Sequence, residues 1–449
     1  MAQYLFWDRT MSDLDHTDKF DWQGRKPVYV ELDELTDQEK ELLTNSESFC
    51  MMPWVHMHGY PDGRAYPCCI GDYDHHIGDL NTQSMQEVWN DEPLKEMRRN
   101  MIAGKKCKQC TTCYENEGYD NRSMRQNSNK HLGKHIGEVL PATHEDGTAD
   151  VFKLRYYDIR FSNLCNMSCR TCGDTFSNIW TEENKKRFGW APDTPGVIYC
   201  GRNETDMLEQ LIEHLPYVEH IYFAGGEPLI MPEHYQLVQT LVERELFHVE
   251  LSYNTNFSKL EYGKGNDILE DWKRFDSVSI GASLDAMGSR AEYMRKGTKW
   301  EQAVLNRKRM LEVCPDVRFH ISCTVSLYNV LHITDFHRQW AEQGLIRPVD
   351  WHSNILMGPR DRRVDVLPPH LKDIAREKIL LHIEWLNTCD QSARERCIPG
   401  YEAIIRVMDK EDRTDLIPEF YRINDPLDEW RKEKFDDVFP ELTDMRKYQ

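Results

Sequence analysis

Between residues 151 and 360 the chain alternates six times between a short apolar run and a longer stretch with helical periodicity. The strand-like runs are 153–161, 219–224, 248–253, 277–283, 317–325 and 349–356. The helical stretches include 206–215, where Met207, Leu208, Leu211, Ile212 and Leu215 share one face, and 232–246, 300–313 and 333–343. Pro232 stands near a helix start, where its missing N–H costs nothing. Such alternation predicts parallel strands joined by right-handed crossovers. Six units rather than eight predict a partial (β/α)6 barrel, an α/β fold. In such barrels the functional residues gather at the C-terminal ends of the strands.

The first predicted strand runs directly into Phe161-Ser-Asn-Leu-Cys165-Asn-Met-Ser-Cys169-Arg-Thr-Cys172, a C-x3-C-x2-C spacing. Three thiolates on one short loop can converge on one metal centre, and thiolates are soft ligands that favour iron–sulfur clusters and zinc. A zinc site or a closed electron-transfer cluster wants a fourth ligand nearby. The next cysteine, Cys200, lies beyond a predicted helix. A cluster held by three cysteines leaves one iron open to an outside ligand.

A second cysteine-rich region occupies residues 46–120. Asp62-Gly63 is a hairpin signal, so Cys50 and Cys68 flank a predicted hairpin. Residues 91–101 read as a helix, and the run Cys107-Lys-Gln-Cys110-Thr-Thr-Cys113 follows it. A hairpin pair plus a C-x2-C pair makes a four-thiolate cage from Cys50, Cys68, Cys110 and Cys113, for a cluster or for zinc. Cys107 has the same spacing to Cys110 and competes for the role, while Cys69 reads as a spare. His56, His58, His75 and His76 read as packed or exposed residues rather than ligands.

The loop of Cys165, Cys169 and Cys172 resembles the signature of the radical S-adenosylmethionine (SAM) superfamily. That resemblance implies a 4Fe–4S cluster whose open iron chelates the amino and carboxylate groups of SAM. It also implies one-electron cleavage of the sulfonium to a 5′-deoxyadenosyl radical, which abstracts hydrogen from a substrate. One βα unit further on, Ala224-Gly225-Gly226-Glu227-Pro228 resembles the family's GGE(P) element, which holds the SAM amino group. The resemblance implies polar strand-end residues for the SAM carboxylate and ribose. Here they are Asn254 and Asn256, then Ser283 and Asp285, with Arg295 as a carboxylate partner. The residue before the third cysteine is often aromatic in the family and is Thr171 here, which puts the adenine packing in doubt. Residues 46–115 resemble a SPASM or twitch module, which binds auxiliary clusters. The match rests on Cys50, Gly63, Cys68, Ile77-Gly78-Asp79-Leu80, Val88-Trp89 and the closing C-x2-C. In most relatives this module follows the barrel, whereas here it precedes it. The implied cofactors are a SAM-binding 4Fe–4S cluster, SAM and one auxiliary 4Fe–4S cluster. The implied partners are a flavodoxin- or ferredoxin-type reductant and an unidentified substrate, a peptide or protein. The competing reading of the same cysteines is a non-catalytic iron–sulfur or zinc protein of electron transfer or regulation, which would have no use for Gly225–Pro228.

The remaining stretches bound the rest. The net charge of −20 argues against nucleic acid, which demands a basic footprint, and against anionic membranes. No apolar run approaches the length of a membrane span, and the start shows no secretion signal. Fourteen cysteines, clustered in this way, read as metal or catalytic residues of a cytoplasmic protein rather than as disulfides. The domain reading is an extension over 1–45, the cysteine-rich module over 46–120 and a linker over 121–150. The barrel over 151–360 and a helical extension over 361–449 follow, with Cys389 and Cys397 as packing residues of the latter.

Overall fold

The computed structural model describes residues 34–118, 122–189, 195–263 and 265–449; what was expected of residues 1–33 lies outside them. Among the described residues the first strands are β1 His56–Gly59, β2 Arg64–Tyr66, β3 Gly78–Asp79, β4 Tyr156–Ile159, β5 Ser168–Cys169 and β6 His220–Phe223. They are followed by β7 Glu250–Thr255, β8 Glu261–Tyr262, β9 Asn266–Asp267, β10 Val278–Ala282, β11 Arg295–Lys296, β12 Arg318–Val325 and β13 Trp351–Ile355. Each of the six predicted barrel strands is present. β4, β6, β7, β10, β12 and β13 lie side by side in chain order and pair in parallel. The intervening helices press apolar faces onto this sheet. Asp206–Glu213 buries Met207, Leu208 and Leu211, Pro232–Glu243 buries Leu237, Val238 and Leu241, and Ile333–Glu342 buries Ile333, Phe336 and Trp340. Full burial of each such aliphatic side chain stabilises the sheet–helix sandwich by about 1.5–3 kcal/mol.

The N-terminal hairpin forms at Asp62-Gly63 as its turn signal predicts, with Gly63 at φ +89°. Its placement is new. β1 pairs in parallel with β4, so β1, β2 and β3 continue the barrel sheet in the order β4-β1-β2-β3. Side chains lock that register. His56 Nδ1 and His58 Nδ1 each lie 2.9 Å from a β4 carbonyl, those of Tyr156 and Asp158. Backbone bonds from Arg155 to Val55 and from Arg160 to Gly59 close the pairing at both ends.

Residues 121–150, expected as a linker or wrapping loop, carry helices Met124–Leu132 and Ile136–Val139 joined by a short 3-10 turn. Their apolar residues are few, but Met124, Leu132, Ile136 and Val139 are all buried. Polar anchors do the rest. Arg125 donates to the carbonyls of Ser46 and Phe49 and pairs with Glu117, and Asn129 bridges Phe49 O and Met51 N. Both residues next to Cys50 are thereby fixed. In the C-terminal extension, expected to be helical, the helix Gln391–Lys410 runs through Pro399. Asp390 caps it, and a buried stripe of Ala393, Cys397, Tyr401, Ile404 and Met408 carries the helix past the lost N–H.

Candidate metal centres

Cys165, Cys169 and Cys172 sit on the loop that leaves β4, at the C-terminal end of the barrel. Backbone and side-chain bonds shape that loop, to which Cys172 Sγ adds a 3.7 Å contact with Gly173 O. β5 pairs antiparallel with β11, opposing Cys169 to Arg295. Asn178 Oδ1 accepts from Cys165 N, and Trp180 Nε1 and Cys172 N both donate to Cys169 O. Arg170, between the second and third cysteines, is completely buried. Its guanidinium donates to Tyr293 O at 3.1 Å, Asn424 at 2.8 Å, Asp428 at 2.5 Å and Glu433 at 2.7 Å, and lies 3.6 Å from the Tyr293 ring centroid. Arg431 donates to Ser168 O and Oγ and pairs with Glu183. The C-terminal helix Ile417–Arg431 and the turn after it therefore grip the loop from behind.

The three thiols act on one another electrostatically. Burial raises all of them, Cys172 to about 11, and neighbouring thiols add to the rise at Cys165 and Cys172. Loading a metal here must displace their protons. Among the described residues no three His, Cys, Asp or Glu side chains close around one point tightly enough for a single ion. A cluster makes a different demand, since each thiolate binds its own iron. Three soft donors on one rigid loop, with Cys165 and Cys172 half-exposed, fit a cluster with one iron open.

The Gly225–Pro228 turn packs on this loop rather than standing off it. Gly225 has φ +117° and lies against Arg160. A Cβ on Gly226 would fall 2.1 Å from Leu164 O and 2.7 Å from Leu164 C, and Glu227 N donates to the same carbonyl at 2.8 Å. The space that Gly226 leaves is thus filled by the backbone just ahead of Cys165. The buried Glu227 carboxylate accepts from Thr255 Oγ1 at 2.6 Å, Asn256 N at 2.6 Å and Leu229 N at 3.0 Å. It ties the end of β6 to the end of β7. Pro228 opens the short turn Pro228–Ile230.

The other strand-end residues divide into two groups. Asn256 Nδ2 donates to Asn166, the residue after Cys165, so this side chain braces the loop. Asn254 reaches over Gly281, whose added Cβ would meet Asn254 Oδ1 at 2.5 Å and His320 Nε2 at 3.1 Å. Ser283 is half-buried and bonds through its N–H to Thr255 O. Arg295 Nε donates to Asp285 Oδ2 at 2.7 Å, Arg295 Nη1 lies 3.8 Å from Cys169 Sγ, and Asp285 Oδ1 accepts from Thr324 N.

In the N-terminal region Cys50 lies ahead of β1, Cys68 after β2, Cys110 at the end of the turn Lys108–Cys110 and Cys113 in helix Thr111–Gly118. Cys68 feels the charges of Cys69, Cys110, Cys113 and Cys50, and Cys110 those of Cys50, Cys107 and Cys113. The four expected residues therefore interact with one another, and Cys69 and Cys107 act on the same thiols. Burial dominates the rise of each thiol, Cys50 reaching about 12. Cys107 is buried beside them, its thiol 3.7 Å from Met97 O and 3.9 Å from Lys105 O, and its charge acts on Cys50 and Cys110. Cys200 packs against Gly59.

Between the two cysteine groups lies a polar chamber that sequence reasoning missed. His58 Nδ1 is 3.1 Å from Asp158 Oδ2 and Arg160 Nε is 2.9 Å from Asp158 Oδ1. Burial opposes ionisation of Asp158, but Arg160 and His58 outweigh it and hold the carboxyl well below the usual range. Arg160 lies over the Tyr222 ring at 5.2 Å. Cys69, expected as a spare, is close enough for its charge to act on Arg160 and Tyr222. Tyr60 joins Tyr66, Tyr73 and Phe176 at ring separations of 5.2–5.4 Å, spanning from the Cys68 side to the Cys172 side. On β12 and β13 burial drives His320 and His352 toward the neutral form, with Arg396 nearby. Arg160, Tyr222, His320 and His352 each keep some accessible surface. The only sequence trace of this chamber is polar alternation in strands such as His56-Met57-His58. A separate cavity of about 510 Å³, lined by Trp300, Val304, Gln339 and Trp340 among others, includes none of these residues.

Comparison with known proteins agrees with the motif positions. Residues 159–339 match the family model of the radical SAM superfamily, and residues 50–114 match that of an iron–sulfur cluster-binding domain, SPASM. No curated protein matches the chain. Similar solved structures include native anSMEcpe with bound AdoMet and Cp18Cys peptide, and native anSMEcpe with bound AdoMet. Both are 15% identical over 51% of this chain, cover 60% and 59% of their own chains, and have TM-scores of 0.35 and 0.36. The match thus spans about three-fifths of those structures' length. The cofactors of the two matched domains are a 4Fe–4S cluster with SAM and an auxiliary iron–sulfur cluster. The chain thus carries a radical SAM domain over residues 159–339, preceded by a SPASM domain over residues 50–114.

Proposed function

We propose that Cys165, Cys169 and Cys172 hold the SAM-cleaving cluster, and that the enzyme abstracts hydrogen from a peptide or protein segment lodged in the chamber beside it. When bound, cluster and SAM supply the 5′-deoxyadenosyl radical; the protein supplies orientation and exclusion of water. The chain's own residues divide that work. Arg170 and Arg431 hold the loop rigid, Gly226 and Glu227 seat it on β6 and β7, and Asn254 and Ser283 offer polar groups toward SAM. Asn256, Asp285 and Arg295 act from the loop's flanks. Cys50, Cys68, Cys110 and Cys113 hold the auxiliary cluster on the opposite side of the chamber. A flavodoxin- or ferredoxin-type protein is the reductant. The cytoplasm is the compartment, since none of the fourteen cysteines is in a disulfide.

The observation that carries this reading is the triplet itself, three interacting thiols on one loop at the end of the first barrel strand. The polar chamber supports a polar segment as substrate, because barrels of this kind ordinarily fill their interior with branched apolar residues. The test is 5′-deoxyadenosine formation by the anaerobically reconstituted protein with dithionite and SAM. Activity is expected in the wild type and absent in Cys165→Ala, Cys169→Ala and Cys172→Ala. Wild-type yield from any one variant would sink the assignment.

A further inference from the structure

We propose that Arg295 and Asp285 form a balanced charge pair that sets the reduction potential of the cluster held by Cys165, Cys169 and Cys172. This rests on the cluster assignment above. The resemblance in sequence gives Arg295 to the SAM carboxylate, but the geometry points elsewhere. The β5–β11 ribbon opposes Arg295 to Cys169, so the guanidinium is carried to the sulfur by backbone pairing rather than by a flexible loop. Its Nη1 is 3.8 Å from Cys169 Sγ and its Nε is 2.7 Å from Asp285 Oδ2. Asp285 cannot swing away. Its other oxygen accepts from Thr324 N at 2.8 Å, and its backbone carbonyl holds Asn329 Nδ2 at 2.8 Å. Side-chain exposure is 14% for Arg295 and 1% for Asp285. The Arg295 charge also acts on Cys172.

Reduction brings one electron from a low-potential donor onto the cluster, and no bond forms or breaks. A nearby cation favours the more negative reduced state and a nearby carboxylate opposes it, both strongly where water is scarce. Hydrogen bonds to ligand sulfurs act in the same sense as the cation. The pair therefore makes a two-sided prediction. Removing Arg295 lowers the potential, and neutralising Asp285 leaves the cation unbalanced and raises it. A purely structural pair would not produce opposite signs.

The experiment is a dithionite titration of the full chain, reconstituted and free of SAM, followed by electron paramagnetic resonance. The barrel cluster's signal is the one missing from the Cys165/Cys169/Cys172→Ala triple variant. Arg295→Met is expected to shift the reduction equilibrium at least tenfold against reduction, about 59 mV more negative for a one-electron couple. Asp285→Asn is expected to shift it the other way, and Arg295→Lys to stay within about threefold of wild type, roughly 28 mV on the same scale. Unchanged potentials, or shifts of one sign in both variants, overturn the proposal. So does Arg295→Met that loses SAM affinity by titration calorimetry but keeps the wild-type potential, the behaviour of a SAM-carboxylate ligand. If Arg295→Met fails to load iron and sulfide, the sign of the Asp285→Asn shift decides. A wild type that shows no reducible cluster signal missing from the triple variant counts against the cluster assignment, not against the pair.

Discussion

Cys165, Cys169 and Cys172 share one loop of the barrel, whereas Cys50, Cys68, Cys110 and Cys113 come from separate segments of the N-terminal region. The first group is rigid because distant parts of the chain hold its backbone, with Arg170 bonded to residues 254 and 258 positions away. The second is assembled by a hairpin, a turn and the helix Met124–Leu132 that braces the flanks of Cys50. Each set has two partly exposed thiols, Cys165 and Cys172 in the first and Cys68 and Cys110 in the second, so the sets differ in donor number: three suit an open site and four a closed one. Both sets are braced from outside their own motif, the first by the C-terminal helix Ile417–Arg431 and the second by Met124–Leu132; what differs is that the first shares one loop and the second is gathered from separate segments.

The sharpest way to break this comparison is to delete the first group entirely. The Cys165/Cys169/Cys172→Ala triple variant is expected to form no 5′-deoxyadenosine while retaining iron and acid-labile sulfide from the N-terminal set. Zinc without sulfide in that variant would show the second group to be a zinc module. Next in size is Gly226→Val. Because the added Cβ meets the Leu164 carbonyl, cluster loading itself is expected to fall sharply together with SAM binding. Normal iron and sulfide content with only SAM affinity lost would place the glycine against the ligand instead of the loop.

A smaller effect is expected when the outside grip is removed. Arg170→Met leaves Asp428 and Glu433 without their buried partner, a loss of about 3–5 kcal/mol by the usual cost of breaking such a pair. Denaturant unfolding of the metal-free chain measures it, and a loss below about 1 kcal/mol would show that the grip is dispensable. The mildest change is Cys107→Ala. With its thiol turned to Met97 and Lys105, auxiliary iron and sulfide should stay at wild-type level, with a stability loss of about 1 kcal/mol for the vacated volume. Cys110→Ala should lose that cluster. Equal losses in the two variants would make Cys107 a ligand.

Much of this molecule was legible in its sequence because the signals are local. Six strands follow from apolar runs, and helix Trp300–Val313 has the bounds its periodicity predicts. The hairpin follows from Asp62-Gly63, and the three loop cysteines from their spacing. What escaped depends on partners far along the chain. Met124–Leu132 looked like a loop because its stability comes from Arg125 and Asn129 bonding to residues 46–51. Glu227 looked like a ligand-facing carboxylate, yet donors from β7 and the following turn occupy it.

By itself the sequence determined the strand–helix alternation, the two sets of thiols and the order in which they occur, since each of these is written in spacing of a few residues. Only the tertiary structure decided that β1 joins β4 and so makes one sheet of the two cysteine regions. It alone brought His58, Asp158 and Arg160 together between them and turned Arg295 toward Cys169. Parallel pairing, buried ion pairs and hydrogen bonds to a ligand sulfur all require residues that the chain separates by tens to hundreds of positions, and no local pattern encodes which of them will meet.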